Sequence, residues 1–380
     1  MPENQQLEAI STLVGTVIGA GVLGMPYLIA KAGLLNGIIL ILILGAAVTL
    51  MYLYYGEVIL RTKKIHQLTG YAEKYLGKPG KIIATFSFGV GVYGALIAYL
   101  LGSGSSLSAI FGGSDILFSI AFLIIGASLV YVGIKAVGRS EPVLMFFVLF
   151  LVVLICFLAA SKVQYAHLTG FNYRTLLLPY GVVLFSLLGT NALPQMREEL
   201  IRKGRLLKRS ILIGMLIPIL TYILFTVAVV GVVGIDGFEA LESNNRIATI
   251  ALIPYIGEHM AIFGNLFALL AMTTSFLSVS LSLKEMFMLD FKLGNELSML
   301  LTFVPPAIIA FMQMTSFIQV LDIMGVIVGG ITGLLIILMF WIAKTRGDRK
   351  PEYTISGNRL IGSIILLLFL IGTIYKLLGG

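Results

Sequence analysis

Residues 11–33, STLVGTVIGAGVLGMPYLIAKAG, are long and apolar enough to cross a membrane but are poorly suited to a continuous helix. About twenty apolar residues, rising about 1.5 Å each, span the roughly 30 Å of hydrocarbon in a bilayer. Four glycines and a proline fall within residues 15–26, and each glycine costs about 1 kcal/mol of helix propensity and a proline about 3. Because lipid cannot bond backbone groups, a helix break is tolerated only where it lines a cavity or binds something.

The composition places the whole chain in a membrane. Hydrophobic residues make up 58% of the sequence and charged residues 12%, whereas soluble domains carry about 25% charged residues. Apolar runs separated by charged or turn-rich gaps predict an all-α integral membrane fold with eleven transmembrane helices. The predicted spans are about 10–33, 35–60, 80–110, 116–135, 140–161, 174–197, 209–234, 258–284, 296–314, 318–343 and 357–377.

The basic residues predict the orientation of these spans. The gaps after spans two, four, six, eight and ten, with the span edges, hold 21 of the 26 Lys and Arg residues. By the positive-inside rule, the N-terminus is cytoplasmic and the C-terminus lies outside the cell membrane. The charge of +8 is therefore a topology signal that favours anionic membrane lipid over nucleic acid as a partner. The charge distribution does not indicate the oligomeric state.

The sixth span repeats the pattern of the first. Residues 174–197 contain Pro179, Gly181, Gly189 and Pro194. Spans one and six are five apart, and the first five helices begin inside whereas the next five begin outside. Interrupted segments at matching places indicate an inverted repeat with a binding site near the midplane. The alternative is that these small residues only permit close helix packing.

The predicted repeats divide the chain into three parts: residues 1–161, residues 162–343, and residues 344–380 with a linker and helix 11. A broken helix of this kind also suggests a ligand. Amides at a half-helix N-terminus favour a carboxylate, and carbonyls at a half-helix C-terminus favour an ammonium group or a cation. A zwitterionic amino acid matches both ends.

Three stretches carry a family resemblance. GTVIGAGVLGMPYLIAKAG, FSLLGTNALPQMREEL and TTSFLSVSLSLKE resemble the first, sixth and eighth helices of the amino acid/auxin permease family and of the related bacterial aromatic amino acid permeases. YAEKYLGKPGK is similar to the linker before their third helix. The resemblance covers about residues 11–290. It implies the leucine-transporter-like fold of the amino acid-polyamine-organocation superfamily, with a five-plus-five inverted repeat and discontinuous helices 1 and 6. It also implies secondary active transport of amino acids by alternating access.

The resemblance further implies a set of substrate-binding residues. Backbone amides around Gly21 would hold the substrate carboxylate, and carbonyls near Leu184 and Phe185 would hold its amino group. The side-chain pocket would be built from the sixth helix. The implied substrate-binding residues are Ala20, Gly21, Val22, Leu184, Phe185, Ser186, Gly189, Thr190 and Asn191.

Sodium-coupled relatives hold their cation between the first and eighth helices, so the resemblance implies a sodium site here as well. The matching residues are Gly15, Ile18, Ala271, Thr274 and Ser275. A shifted alignment would instead use Thr273 and Thr274 as the hydroxyl ligands. Carbonyl and hydroxyl oxygens suit a hard cation, and the lack of a carboxylate suits a monovalent one. No other cofactor is expected.

Three alternatives bear on the function. Proton-coupled relatives can carry a lysine inside the fifth helix, but residues 142–160 contain no ionisable group except Cys156, which favours sodium and leaves proton coupling as the second choice. An intramembrane enzyme would need a metal pair or a catalytic dyad within the spans, and the sequence has neither, so it is predicted not to be an enzyme. An amino acid sensor without turnover remains open, as does the identity of the amino acid.

Overall fold

The computed structural model describes residues 2–132, 134–171, 173–200, 203–241, 246–312 and 315–378, and the regular structure in these ranges is helical. A 3₁₀ turn at Tyr173–Thr175 and a π-helical turn at Met286–Asp290 join longer helices. The helices are α1 Pro2–Val17, α2 Gly21–Ala32, α3 Leu34–Leu60, α4 Leu68–Phe111, α5 Asp115–Val132, α6 Ile134–Ala160, α7 Tyr165–Leu168, α8 Tyr180–Leu187, α9 Ala192–Glu199, α10 Arg205–Glu239, α11 Ala248–Ile256, α12 Glu258–Glu285, α13 Asn295–Phe311, α14 Phe317–Arg346 and α15 Arg359–Leu377.

The all-α membrane architecture is confirmed. In the described ranges, eight helices are long and apolar enough to cross a membrane, and the α1–α2 pair, bent by 50°, makes a ninth if it is counted as one span. Helices α8 and α9 have eight residues each, and α13 has 17, so none of them is a span by length. They lie at the sixth and ninth predicted spans, and the count of eleven stays a prediction.

Helical structure also extends beyond the predicted spans. Helix α4 begins at Leu68, so the segment compared with a family linker is itself helical; the chain bends at Gly77, whose φ of +74° suits glycine. Helix α11 is an apolar segment of nine residues between α10 and α12, and it is too short to cross a bilayer. The predicted breaks in the first and sixth spans are both present, at residues 18–20 and 188–191.

Helix α12 lies at the centre of the helix assembly. Buried residues make up 78% of its apolar window, compared with 22% for α5 and for α15. It packs against α4, α6 and α1, while α14 packs against α4, α8 and α3. The outer helices present exposed apolar side chains such as Ile125 and Leu367. This is the surface expected of helices that face lipid, since lipid chains are as apolar as the side chains.

Helices α8 and α14 approach each other backbone to backbone. A methyl group on the Cα of Gly325 would overlap the carbonyl oxygen of Gly181 and would lie 2.9 Å from the amide nitrogen of Phe185. No side chain therefore fits between the two helices at this level. The first half of the broken sixth span rests directly on α14.

At the end of the molecule that carries the basic clusters, a buried carboxylate joins two helices and the segment between α14 and α15. Glu57, at the C-terminal end of α3, is fully buried. Its oxygens lie 2.8 Å from Nε of Arg61, 2.7 Å from Nζ of Lys344 and 2.6 Å from the amide nitrogen of Ile355. Tyr353 adds a hydrogen bond from its hydroxyl to the carbonyl oxygen of Leu53, at 2.8 Å. The connection between α14 and α15 is thereby attached to α3.

Candidate functional site

The two helix breaks lie against each other. We call residues 18–20 the first break and residues 188–191 the second break. Gly21 begins α2, and a methyl group on its Cα would lie 2.8 Å from the Cα of Ser186, near the end of α8. This contact involves backbone, so the chain at Gly21 can come this close only without a side chain. The fold thus brings together two breaks that are more than 160 residues apart in the sequence.

Two buried tyrosines hold the carbonyl ends of the broken helices. The hydroxyl of Tyr222 lies 2.6 Å from the carbonyl oxygen of Val17 and 2.7 Å from that of Ser186. The hydroxyl of Tyr52 donates to the carbonyl oxygen of Leu187 at 2.9 Å and accepts from the amide of Gly189. Helix ends leave such groups without an intrahelical partner, so the phenols replace helical hydrogen bonds that the breaks remove. Neither tyrosine was predicted from the sequence.

The amide end of α2 is open toward the first break. Its first internal hydrogen bond runs from the amide of Leu23 to the carbonyl of Ala20, at 3.1 Å, and Ala20 provides no side-chain cap. The amides of Gly21 and Val22 belong to the first helical turn, where no intrahelical acceptor exists. Such a turn attracts negative charge. This arrangement is suited to a carboxylate.

A cavity adjoins both breaks, with an empty volume of about 640 Å³ that includes its open mouth. Six predicted substrate residues border it, and the other three, Ala20, Val22 and Leu184, do not. The six are Gly21, Phe185, Ser186, Gly189, Thr190 and Asn191.

One of the two carbonyl oxygens predicted to bind an amino group already accepts a hydrogen bond from the protein. The carbonyl of Phe185 accepts from the amide of Leu188 at 3.0 Å. A carbonyl oxygen has two lone pairs, so it can take a second donor from a ligand. The side chain of Leu184 points to α14, where it packs on Gly329. The role of these carbonyls in binding stays a prediction.

The residues predicted for a cation meet at one place between α1 and α12. The Ser275 hydroxyl oxygen lies 2.8 Å from the carbonyl oxygen of Gly15 and 3.5 Å from that of Ile18. The Thr274 hydroxyl oxygen lies 3.3 Å from the same Gly15 oxygen and 2.9 Å from the carbonyl of Ala271. All five predicted residues are buried. Two hydroxyls and three carbonyls therefore converge, a donor set suited to a hard cation.

The same geometry distinguishes the two alignments of the threonine pair. The Thr273 hydroxyl donates to the carbonyl of Leu269 in its own helix, at 2.7 Å, whereas Thr274 faces α1. Two further groups, which are not among the predicted cation ligands, lie beside this cluster. The carbonyl oxygen of Thr16 is 3.3 Å from the Ser275 hydroxyl, and a methyl group on Gly19 would lie 2.9 Å from the hydroxyl oxygen of Tyr99.

A row of buried polar side chains runs from the cavity toward the basic end. Thr16 and Ser278 share a hydrogen bond of 2.8 Å, and the Gln195 amide nitrogen donates to Ser282 at 3.1 Å. The Asn191 amide nitrogen lies 3.5 Å from the Ser278 oxygen and 3.4 Å from that of Ser282. We call these five residues the polar row. The serines of α12 therefore do more than bond their own helix, because they join α12 to α1 and α9.

The sequence of nearly the whole chain is similar to those of known transport proteins. The sequence model of the tryptophan/tyrosine permease family matches residues 3–377. Tyrosine-specific transport system 1 of Haemophilus influenzae is 30% identical, over 96% of this chain and 94% of that protein. Glutamine transporter 2 of Aliivibrio fischeri is 25% identical, over 93% and 95%. The tryptophan-specific transport protein of H. influenzae is 26% identical, over 93% and 91%. These relatives are named as transport proteins and not as enzymes.

Proposed function

Because the chain belongs to the tryptophan/tyrosine permease family, we propose that it is a secondary active transporter of neutral amino acids. The proposal is carried by one observation: two helix breaks face each other and adjoin a cavity in which none of the described bordering residues is charged. A charged substrate side chain would need a charged partner when it is buried. Tyrosine, tryptophan and glutamine, which name the relatives, are neutral amino acids.

The proposed mechanism is alternating access in a leucine-transporter-like fold, as in the wider amino acid/auxin permease and amino acid-polyamine-organocation group. The two five-helix repeats would be residues 1–161 and 162–343, followed by a linker and helix 11. Breaks at corresponding helices of two halves are typical of such inverted repeats. In this proposal Ala20, Gly21 and Val22 bind the carboxylate. Leu184 and Phe185 bind the amino group, and the other four sixth-helix residues surround the substrate.

The proposed orientation places the N-terminus in the cytoplasm and the C-terminus outside. Contacts support it, because Thr12 of α1 bonds Glu199 of α9 at 2.6 Å, and the buried Glu57 bonds Lys344 at 2.7 Å. These residues lie at the end with most Lys and Arg, which the positive-inside rule assigns to the cytoplasm. Tyr375, near the C-terminus, instead bonds the carbonyl of Arg174 on the other end, at 3.4 Å.

Sodium is the proposed coupling ion, with Gly15, Ile18, Ala271, Thr274 and Ser275 as its site. The convergence of their oxygens supports the proposal, because uncharged oxygen ligands suit a weakly held hard cation. Proton coupling is the second candidate. A sensor that binds amino acids without transport is the third.

Uptake into liposomes containing the purified full-length protein separates these candidates. Labelled tyrosine, tryptophan and glutamine would be offered under an inward sodium gradient, an inward proton gradient, or neither. Concentrative uptake under the sodium gradient alone is expected. If uptake depends only on the proton gradient, the coupling ion is the proton and the sodium proposal is wrong. Binding to the protein without uptake under either gradient would favour the sensor and reject the transporter.

A further inference from the structure

The wall of the cavity opposite the helix breaks is nearly all apolar. Helix α4 contributes Phe88 and Val92, and helix α14 contributes Met324 and Val328. The two helices approach closely at Gly91, where a methyl group would lie 2.9 Å from the Cγ1 of Val328. If the main-chain groups of a substrate lie at the breaks, its side chain must face this wall.

Two residues bring polar groups to this wall: Tyr99, whose hydroxyl lies beside Gly19 at the first break, and Thr332. The Thr332 side chain borders the cavity and lies 3.2 Å from the Ser87 hydroxyl of α4. The two residues are 2% and 0% exposed, respectively. They therefore form a buried hydroxyl pair between α4 and α14, in which Thr332 borders the cavity and Ser87 does not.

The pair retains hydrogen-bonding capacity. Two hydroxyls hold two protons, and the bond between them uses one. Many other helical hydroxyls in the chain donate to a carbonyl one turn back, as Thr85 and Thr302 do at 2.8 and 2.7 Å. In the described part of the chain, Ser87 and Thr332 make no such bond. One proton and several lone pairs remain for a group that enters the cavity.

We propose that the Ser87–Thr332 pair is a specificity determinant, which binds the phenolic hydroxyl of a tyrosine substrate whose ring lies against the apolar wall. The inference rests on the proposed function. The apolar side chains between the breaks and the pair match an aromatic ring, and the pair matches a polar group at the far end of that ring. A site built to bond a substrate hydroxyl discriminates strongly against the analogue that lacks it.

The test compares tyrosine with phenylalanine in the liposome uptake assay. The wild-type protein should take up tyrosine with a kcat/KM at least tenfold above that for phenylalanine. Thr332→Val keeps the shape of the side chain and removes the hydroxyl, so it should reduce this ratio by about tenfold. Ser87→Ala should reduce it in the same direction and serves as a second variant if Thr332→Val does not fold.

Thr302→Val is the matched control, because the Thr302 hydroxyl bonds its own helix α13 away from the cavity, and the ratio should stay at the wild-type value. A wild-type protein that does not distinguish the two substrates would overturn the proposal. A ratio that neither Thr332→Val nor Ser87→Ala changes would overturn it as well. Both results leave the transport proposal intact, whereas the absence of any uptake would reject transport itself.

Discussion

The hydroxyl of Tyr222 lies 2.6 Å from the carbonyl oxygen of Val17, the last residue of α1. The same hydroxyl is 2.7 Å from the carbonyl oxygen of Ser186 in α8. A hydroxyl has one proton, so this single donor is shared between the ends of two broken helices. Any displacement of one half-helix relative to the other changes this shared bond.

We expect Tyr222→Phe to destabilise the protein and to impair transport. Removing the hydroxyl takes this donor from the buried Ser186 carbonyl, at a cost of about 1–3 kcal/mol. The Val17 carbonyl still accepts from the amide of Gly19 at 2.9 Å. The midpoint of thermal unfolding in detergent should fall, and uptake should decrease. Tyr55→Phe is the matched control, because the buried Tyr55 hydroxyl has no hydrogen-bond partner among the residues that the structure describes. Equal midpoints for the two variants would contradict the role of Tyr222.

Gly21→Ala should abolish or strongly weaken amino acid binding. The added methyl group would lie 2.8 Å from the Cα of Ser186, and backbone at this place cannot move aside as a flexible side chain can. We expect at least a tenfold loss of affinity, equivalent to about 1.4 kcal/mol. The measurement is the rise in unfolding temperature with added amino acid, since a ligand stabilises the state that binds it.

Gly89→Ala serves as the control for that substitution. A methyl group on Gly89 meets no atom within 4 Å, so ligand-induced stabilisation should equal that of the wild type. If Gly21→Ala also retained wild-type stabilisation, the assignment of the α2 amide end to the substrate carboxylate would be wrong.

Substitutions of the proposed sodium ligands should change the ion dependence of uptake. Thr274→Ala together with Ser275→Ala removes both hydroxyls of the cluster, and sodium stimulation should disappear. Thr273→Ala removes the neighbouring hydroxyl, which bonds Leu269 in its own helix, and should leave sodium stimulation unchanged. The measurement is the initial rate of uptake against sodium concentration. Persistent stimulation in the double variant would remove this site from the proposal.

Glu57→Gln should lower stability by about 3–5 kcal/mol, because removing one charge of a buried ion pair leaves its partners uncompensated. Here the partners are Arg61 and Lys344, at 2.8 and 2.7 Å. Glu352→Gln affects a partly exposed pair with Arg349, which should cost no more than about 1 kcal/mol. Thermal unfolding of both variants tests the difference. A Glu57→Gln protein as stable as Glu352→Gln would show that the network contributes little.

Both helix breaks could be predicted from the sequence because glycine and proline act locally. Residues 15–26 and the sixth span carry their own cost of helix formation, whatever the rest of the chain does. The tyrosines that form hydrogen bonds with the broken helix ends could not be predicted in the same way. Tyr52, Tyr54 and Tyr55 are close together in one apolar run, and only the packing of α3 on α8 determines which phenol reaches a broken end.

The orientation of the hydroxyls on α12 could be predicted from the sequence only in part. Successive helical residues point about 100° apart, so the pattern of residues 273–275 allows either threonine to face α1. The position of the α1 carbonyls selects Thr274. Similarly, the sequence gives no sign that Ser87 and Thr332, 245 residues apart, form a pair, because α4 and α14 meet only in the folded protein.

The backbone contact between Gly181 and Gly325 has a consequence for how the protein moves. No side chain separates α8 from α14 at this level, so the two helices cannot slide past each other here without a backbone clash. The other halves of the broken spans, α1 and α9, are joined by the hydrogen bond from Thr12 to Glu199, and α1 also packs apolar side chains such as Leu13 against α10. In the proposed transport cycle we therefore expect the larger displacement in α1 and α9, about a pivot at the Gly181–Gly325 contact.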